Sequence, residues 1–339
     1  MGLFAWLGIY VLLALVTIVS TNRASHYVNE LDKKTQISGA LLGGVMLAVV
    51  TSLPEFITSI TSTVFLDQPG LAFGNVFGSN MFNLTILAVV DLIFIKHLFF
   101  NKTRIGVKTN SLIIMMYAIF LAPWVLSRFN TALGYDALDI RIGLTFNVIS
   151  LLIILVYFLT LKSMNDELPQ EKDATRTSDL TKRRIMLMFV FWSLFVIASS
   201  AAITYVTDEL SVRMNLTASF AGAIFLGAAT SLPELTAVIT LFKLKNYDVA
   251  LGNILGSNIF NMTIISVVDL INARDNIFEE LTFDAELGEN VVYLLILGLI
   301  NSIILLIALK RKTVRRKIWY AILSIVIILG YLVYVALSL

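Results

Sequence analysis

The sequence predicts an all-α polytopic membrane protein, with ten transmembrane helices arranged as two inverted five-helix repeats. Three observations predict it. The 339 residues are 58% hydrophobic and only 14% charged, whereas soluble domains average roughly 45–50% apolar and about 25% charged residues. The apolar residues fall in long runs separated by short polar stretches, the pattern of a chain that crosses a bilayer repeatedly. The pentapeptide Thr-Ser-Leu-Pro-Glu occurs at residues 51–55 and again at 230–234, each time inside an apolar run.

A span requires about 20 apolar residues. By that measure the candidates are 3–20, 37–64, 71–95, 110–127, 142–161, 185–207, 217–242, 249–272, 290–309 and 318–338. The first lacks a basic start and a small-residue cleavage site, so it reads as a span and not a removed leader. The longest interruption, Lys162 to Arg184, carries both charge signs and Pro169. It reads as a flexible linker and divides the chain into a first repeat, 1–162, a linker, 163–184, and a second repeat, 185–339. The stretch Ala273–Asn290 holds six carboxylates and the single Arg274. Its first reading is a solvated loop and its second an acidic mouth that gathers cations.

Orientation follows from the basic residues. Alternate connections, beginning with the one after the first span, hold 21 of the 25 Lys and Arg residues and the others hold 4. The rich set is expected in the cytoplasm, with both termini outside and the central linker inside, in the plasma membrane. Five spans per repeat is an odd number, so the second repeat enters from the opposite side. The repeats are then related by a pseudo-two-fold axis in the membrane plane, and such transporters bind their ions at the midplane where broken helices meet.

Composition also excludes functions. The chain has no cysteine, so thiolate metal sites and thiol catalysis are absent. The two histidines, His26 and His97, adjoin polar loop residues. Neither a Ser–His nor a paired-Asp arrangement falls within a span, and the reading is a protein that is not an enzyme.

The duplicated pentapeptide carries the chemistry. Pro54 and Pro233 have no N–H to donate and clash with the carbonyl one turn back. Backbone carbonyls near Val50 and Ala229 are thereby freed at a depth without bulk water. The hydroxyls of Thr51, Ser52, Thr230 and Ser231 add neutral oxygens, and Glu55 and Glu234 add charged ones. Such hard oxygen sets suit Ca²⁺ or Na⁺. A proline kink with nearby hydroxyls is common in membrane helices, but an intramembrane carboxylate is costly and marks function. No Lys or Arg lies between Lys34 and Lys96 or between Arg213 and Lys243. The two glutamates therefore bind a mobile cation or a proton.

A second motif follows each copy. Residues 74–83 and 252–261 both read Gly-Asn-x-x-Gly-Ser-Asn-x-Phe-Asn, and Ala72–Ile93 matches Ala250–Ile271 at 15 of 22 positions. Identities in Gly, Asn, Ser, Thr and Asp mark duplication and not shared apolarity. Ser79 and Asn83 share one helix face, as do Ser257 and Asn261, where their oxygens can complete an ion's coordination. The glycines Gly74, Gly78, Gly252 and Gly256 read as packing faces. Asp91 and Asp269 also duplicate, near the span ends, and read as helix-end or gate residues outside the ligand set.

These paired motifs resemble the α-repeats of the sodium/calcium exchanger family, within the cation/Ca²⁺ antiporter superfamily. The resemblance implies alternating access at one midplane site that exchanges Ca²⁺ for Na⁺ and uses no cofactor. By matching position it implies Ca²⁺ coordination by Thr51, Glu55, Thr230 and Glu234. Na⁺ ligation adds Ser52, Ser79, Ser231 and Ser257, with Asn83 and Asn261 near the centre. One departure is that Asn261 stands where exchangers of this family typically have aspartate. A site with two carboxylates is balanced by one Ca²⁺, two Na⁺ or two H⁺, which keeps a proton-coupled antiporter of Ca²⁺ or another divalent cation as the alternative. A cation channel is a further one. The partners implied are inorganic cations and the lipid bilayer, with no nucleic acid and no required protein partner.

Overall fold

The structure is a computed structural model that describes residues 2–35, 48–103, 105–129, 141–142, 146–167, 178–272, 277–278, 288–311 and 316–339. The first helix, α1 (Leu3–Thr35), is followed by a helical turn at 48–51 and by α2 (Leu53–Ile60), which continues as a π-helical turn, Thr61–Phe65. Helices α3 (Pro69–Ile93), α4 (Val107–Phe129) and α5 (Val148–Glu167) complete the first part of the chain. The second part runs through α6 (Lys182–Met214), α7 (Ala218–Thr230), α8 (Leu232–Lys243), α9 (Tyr247–Ile271), α10 (Gly288–Lys310) and α11 (Lys317–Ser338). Corresponding helices have matching lengths: 33 residues in α1 and α6, 25 in α3 and α9, and 23 in α4 and α10.

Several expectations are revised. Among the described residues six helices are long and apolar enough to cross a membrane, or up to eight when two bent pairs each count as one span. The count of ten is therefore not established. The predicted second span, 37–64, begins in residues outside the described set, and its described part is broken at Ser52. The predicted 217–242 span is α7 and α8, bent by 43° at Ser231. The predicted fifth span, 142–161, is helical only from Val148. Before it, Arg141–Ile142 and Phe146–Asn147 form a two-residue antiparallel pair, the one departure from all-α among the described residues. Helix α1 outruns its predicted span by nearly half of its length and α6 by about a third, since a helix once under way continues through polar residues such as those after Ser20.

Helix α5 continues to Glu167 and α6 begins at Lys182, while residues 168–177 lie outside the described set. Just beyond them the Ser178 hydroxyl donates to Glu30 Oε2 of α1 at 2.6 Å. Most of the acidic stretch 273–290 also lies outside the described residues. Two that are described, Ile277 and Phe278, are buried, and Phe278 meets the rings of Phe73 and Phe120. This short apolar segment reaches into the core.

Burial separates the layers. The apolar windows of α3 and α9 are 72% and 78% buried within the protein, against 17% for α1 and 22% for α6. The duplicated helices are thus the centre of the molecule, and α1 and α6, packed on each other, present apolar side chains outward, as lipid-facing helices do. The glycines of α3 permit the central packing. A Cβ at Gly78 would lie 2.5 Å from Ala223 Cα, and one at Gly74 would collide with the Ser219 carbonyl. Close helix approach through small residues is the usual means of packing where lipid removes the hydrophobic drive.

Candidate functional site

Each Thr-Ser-Leu-Pro-Glu copy forms the same break. Ser52 has φ −91° and ψ 10° and Ser231 has φ −89° and ψ 0°, both in the sparsely populated bridge region. A new helix starts at the next residue with proline in its first turn, where the missing N–H costs nothing. Glu55 and Glu234 occupy that same first turn, at the positive end of a helix dipole. Both are fully buried.

The two breaks face each other across the centre and exchange partners. Glu55 sits beside Ser79 of its own half and Thr230 of the other. Glu234 sits beside Ser257 of its own half and Thr51 of the other. Ser79 Oγ and Thr230 Oγ1 are 3.3 Å apart, Thr51 Oγ1 and Ser257 Oγ are 3.4 Å apart, and the Ser257 hydroxyl donates to Glu234 Oε1 at 3.2 Å. The proximity leaves most of the carboxylate oxygens unsatisfied. Among the described residues, Glu55 Oε1, Glu55 Oε2 and Glu234 Oε2 have no hydrogen-bond partner of good geometry.

Behind the carboxylates four asparagines from α3 and α9 form a reciprocal lattice. Asn80 Nδ2 donates to the Asn258 carbonyl at 3.1 Å and Asn258 Nδ2 to the Asn80 carbonyl at 3.4 Å. Their side-chain oxygens therefore face outward as acceptors, taking Asn261 Nδ2 on Asn80 at 3.1 Å and Asn83 Nδ2 on Asn258 at 2.9 Å. The amide nitrogens of Asn83 and Asn261 being so engaged, their Oδ1 atoms are left buried and without a partner among the described residues. Unpaired buried oxygens are rare and costly in native proteins. Five in one core, all acceptors, form an environment that a cation satisfies.

All ten predicted residues lie in this buried core. Eight are joined by the contacts above. Ser52 and Ser231 form the breaks themselves, and their hydroxyls have no partner among the described residues. The sequence reading overlooked Asn80 and Asn258, which orient the other two asparagines. It also overlooked Asn75, whose Nδ2 donates to the Glu55 carbonyl at 3.2 Å and to Thr58 Oγ1 at 2.7 Å. All three belong to the duplicated motif, so the repeat itself was a signal. The symmetry is not complete: among the described residues Asn253, the counterpart of Asn75, has neither amide atom bonded, because Ala237 and Val238 replace Thr58 and Ser59 at the matching positions.

Asp91 of α3 and Asp269 of α9 lie outside the cluster, each bonded to the last helix of the other half. Asp91 accepts from Tyr320 Oη at 2.5 Å and Ser324 Oγ at 2.7 Å in α11. Asp269 accepts from Ser150 Oγ of α5 at 2.6 Å. Among the described residues no group of three or more His, Cys, Asp or Glu converges, so the cluster's charge comes from two carboxylates.

Fold and site together define a class: a polytopic membrane protein enclosing oxygen ligands between two broken, duplicated helices. Within that class the chain belongs to the sodium/calcium exchanger protein family, whose sequence profile matches residues 4–165 and 184–339. The chain is 25% identical to the sodium/calcium exchanger MaX1 of Methanosarcina acetivorans over 298 residues, covering 75% of this chain and 80% of that one. It is likewise 25% identical to the inner membrane protein YrbG of Escherichia coli over 263 residues, 74% and 75% of the two chains. Among solved structures it resembles the H⁺/Ca²⁺ exchanger CAX, with a TM-score of 0.68 at 14% identity over 98% of this chain and 86% of that one. It also resembles the sodium-calcium exchanger NCX_Mj, with a TM-score of 0.58 at 17% identity over 99% of both chains. At these identities the structural likeness is one of fold.

Proposed function

We propose that the protein is a secondary-active antiporter that exchanges Ca²⁺ for Na⁺ by alternating access, at a midplane site built from Glu55 and Glu234. One observation carries the reading: two buried carboxylates at matched helix breaks, which among the described residues have no basic partner and lie with other unpaired oxygens. Burying such charges uncompensated costs several kcal/mol each, and a bound Ca²⁺ removes that cost. Thr51, Ser52, Ser79, Asn83, Thr230, Ser231, Ser257 and Asn261 supply the neutral oxygens. Ca²⁺ takes six to eight of these hard ligands in flexible geometry.

The matched helix lengths and the exchange of partners across the centre support an inverted-repeat arrangement of 1–162 and 185–339, in which each half presents the same site to one side in turn. The distribution of Lys and Arg supports both termini outside and the linker in the cytoplasm of a plasma-membrane protein.

A second reading, H⁺/Ca²⁺ antiport, is favoured by Asn83 and Asn261. With two carboxylates, two protons neutralise the site as well as two Na⁺ do. In both cases a cycle that carries one Ca²⁺ against two monovalent cations moves no net charge.

Isotopic Ca²⁺ flux into proteoliposomes decides these points. Uptake is expected to require an outward Na⁺ gradient and to fall at least 100-fold in Glu55→Gln and Glu234→Gln. Uptake that follows a pH gradient alone selects H⁺ as counter-ion. Uptake without any internal counter-ion marks a channel, and unchanged flux in both glutamine variants refutes the site.

A further inference from the structure

The two half-sites hold equal carboxylates on unequal supports. The pentapeptide copies fix the register on one side: Thr58 and Ser59 follow Glu55 by three and four residues, as Ala237 and Val238 follow Glu234. The second motif fixes it on the other, where Asn75 and Asn253 stand four residues before Ser79 and Ser257. Both asparagines are buried. Helix α2 packs on α3 as α8 packs on α9, so the halves differ here in chemistry and not in which helices touch.

In the first half the amide is a tether. Asn75 Nδ2 lies 2.7 Å from Thr58 Oγ1, 3.2 Å from Ser59 Oγ and 3.2 Å from the Glu55 carbonyl oxygen. A backbone carbonyl can only accept, so the nitrogen is the amide atom on this side. The Thr58 hydroxyl directs its own hydrogen to the Pro54 and Glu55 carbonyls and therefore receives from Asn75. Glu55, Thr58 and Ser59 span one turn of α2, the turn that carries the Glu55 carboxylate. That turn is thereby fixed to α3, the helix that carries Ser79 and Asn83. In the second half Val238 is fully buried and apolar, and among the described residues neither amide atom of Asn253 has a partner. The turn that carries Glu234 receives no hydrogen bond from it.

We propose that Asn75 is a positioning residue that holds Glu55 ready for the cation, and that Glu234, without such a tether, is the arm that moves to admit and release it. A half-site already in its bound arrangement binds without the cost of being ordered, and a half-site free to shift supplies the opening. The two glutamates are therefore inequivalent despite their identical motifs. The inference rests on the site reading given above.

The test is isothermal titration of the purified full chain with Ca²⁺ in nanodiscs, alongside release of isotopic Ca²⁺ from the same samples. Thr58→Val removes the shortest tether at nearly constant shape, and the Ca²⁺ Kd is expected to rise about 3- to 10-fold, the worth of one hydrogen bond. In the second half, Ala237→Thr puts a hydroxyl at the position matching Thr58, and Ala237→Val adds the same bulk without it. Ala237→Thr is expected to bind Ca²⁺ about 3- to 10-fold more tightly than Ala237→Val and to release it more slowly by a similar factor. In an Asn253→Ala background the two should differ by less than about 1.5-fold, the signature of coupling through that amide. Where the added bulk lowers the ion-free melting temperature, Ala237→Ser is read against wild type in the same two backgrounds. An unchanged Kd in Thr58→Val, with or without a lower melting temperature, overturns the proposal. So does a hydroxyl at position 237 that changes nothing, or that acts equally without Asn253. If Glu55→Gln and Glu234→Gln bind Ca²⁺ as wild type does, the site reading falls and the proposal with it. If they lose Ca²⁺ while Thr58→Val does not weaken it, the positioning role alone is refuted.

Discussion

Replacing Asn261 with aspartate is the most informative single change, because it alters the charge of the site by one unit at a position whose contacts are known. Asn261 is fully buried, donates Nδ2 to Asn80 Oδ1 at 3.1 Å and leaves its own Oδ1 unpaired among the described residues. On the proposed reading two carboxylates balance one Ca²⁺ or two monovalent cations, and exchange is expected to be electrically silent. A third carboxylate requires a third monovalent cation, so each cycle then moves one net charge. Moving one charge through 100 mV is worth about 2.3 kcal/mol, or roughly 50-fold in the steady-state Ca²⁺ gradient at about 1.4 kcal/mol per decade. The substitution also removes the donor to Asn80 and sets two oxygens against each other. Turning the Asn80 amide would restore a donor at the expense of its 3.1 Å bond to the Asn258 carbonyl, a loss of about 1 kcal/mol, so the turnover rate should fall. The assay is Ca²⁺ distribution in proteoliposomes clamped with K⁺ and valinomycin. Wild type is expected to vary by less than about twofold over 100 mV and Asn261→Asp by tens of fold. A voltage-sensitive wild type, or a variant as silent as wild type, would refute the charge-balance reasoning.

Three further outcomes are expected. Asp91→Ala strips the acceptor from Tyr320 and Ser324 and should destabilise the protein by about 3 kcal/mol, read as a lower melting temperature in detergent with the Ca²⁺ Kd unchanged. Gly74→Ala places a methyl group against the Ser219 carbonyl; separating α3 from α7 should cost about 1–3 kcal/mol or more, seen as loss of the monodisperse peak in size-exclusion chromatography. Ca²⁺ at a hundredfold excess over its Kd should stabilise the fold by about 2.7 kcal/mol. That gain should vanish on adding a chelator and be absent from Glu55→Gln and Glu234→Gln, whereas a nonspecific effect of divalent ions would survive in both variants.

Much of the site was legible without coordinates because proline and glutamate are conspicuous inside apolar runs. Their duplication linked positions 179 residues apart. The asparagines that orient other asparagines were not legible, although they lie in the same motif. Asn80 and Asn83 differ by three residues on one helix, and nothing in that spacing says which amide faces an ion and which faces the partner helix. Helix ends were the least legible feature. Polar residues continue α1 and α6 well beyond their apolar runs, and the fifth span opens with a strand pair.

Composition and duplication were enough to establish a membrane protein with two related halves, since apolar run length and repeated polar letters are local properties of the chain. How the halves meet was decided by packing. The swap of Thr51 and Thr230 across to the opposite glutamates, and the Asp91 and Asp269 bonds to the other half's last helix, join residues more than a hundred positions apart. So does the contact of Tyr117 with Gly298. Such contacts depend on helix rotation and depth, which a one-dimensional pattern does not encode. The duplicated motifs supplied equal candidate ligands twice, and only the packing around them, where Asn75 finds Thr58 and Asn253 faces no such hydroxyl, showed where the two halves differ.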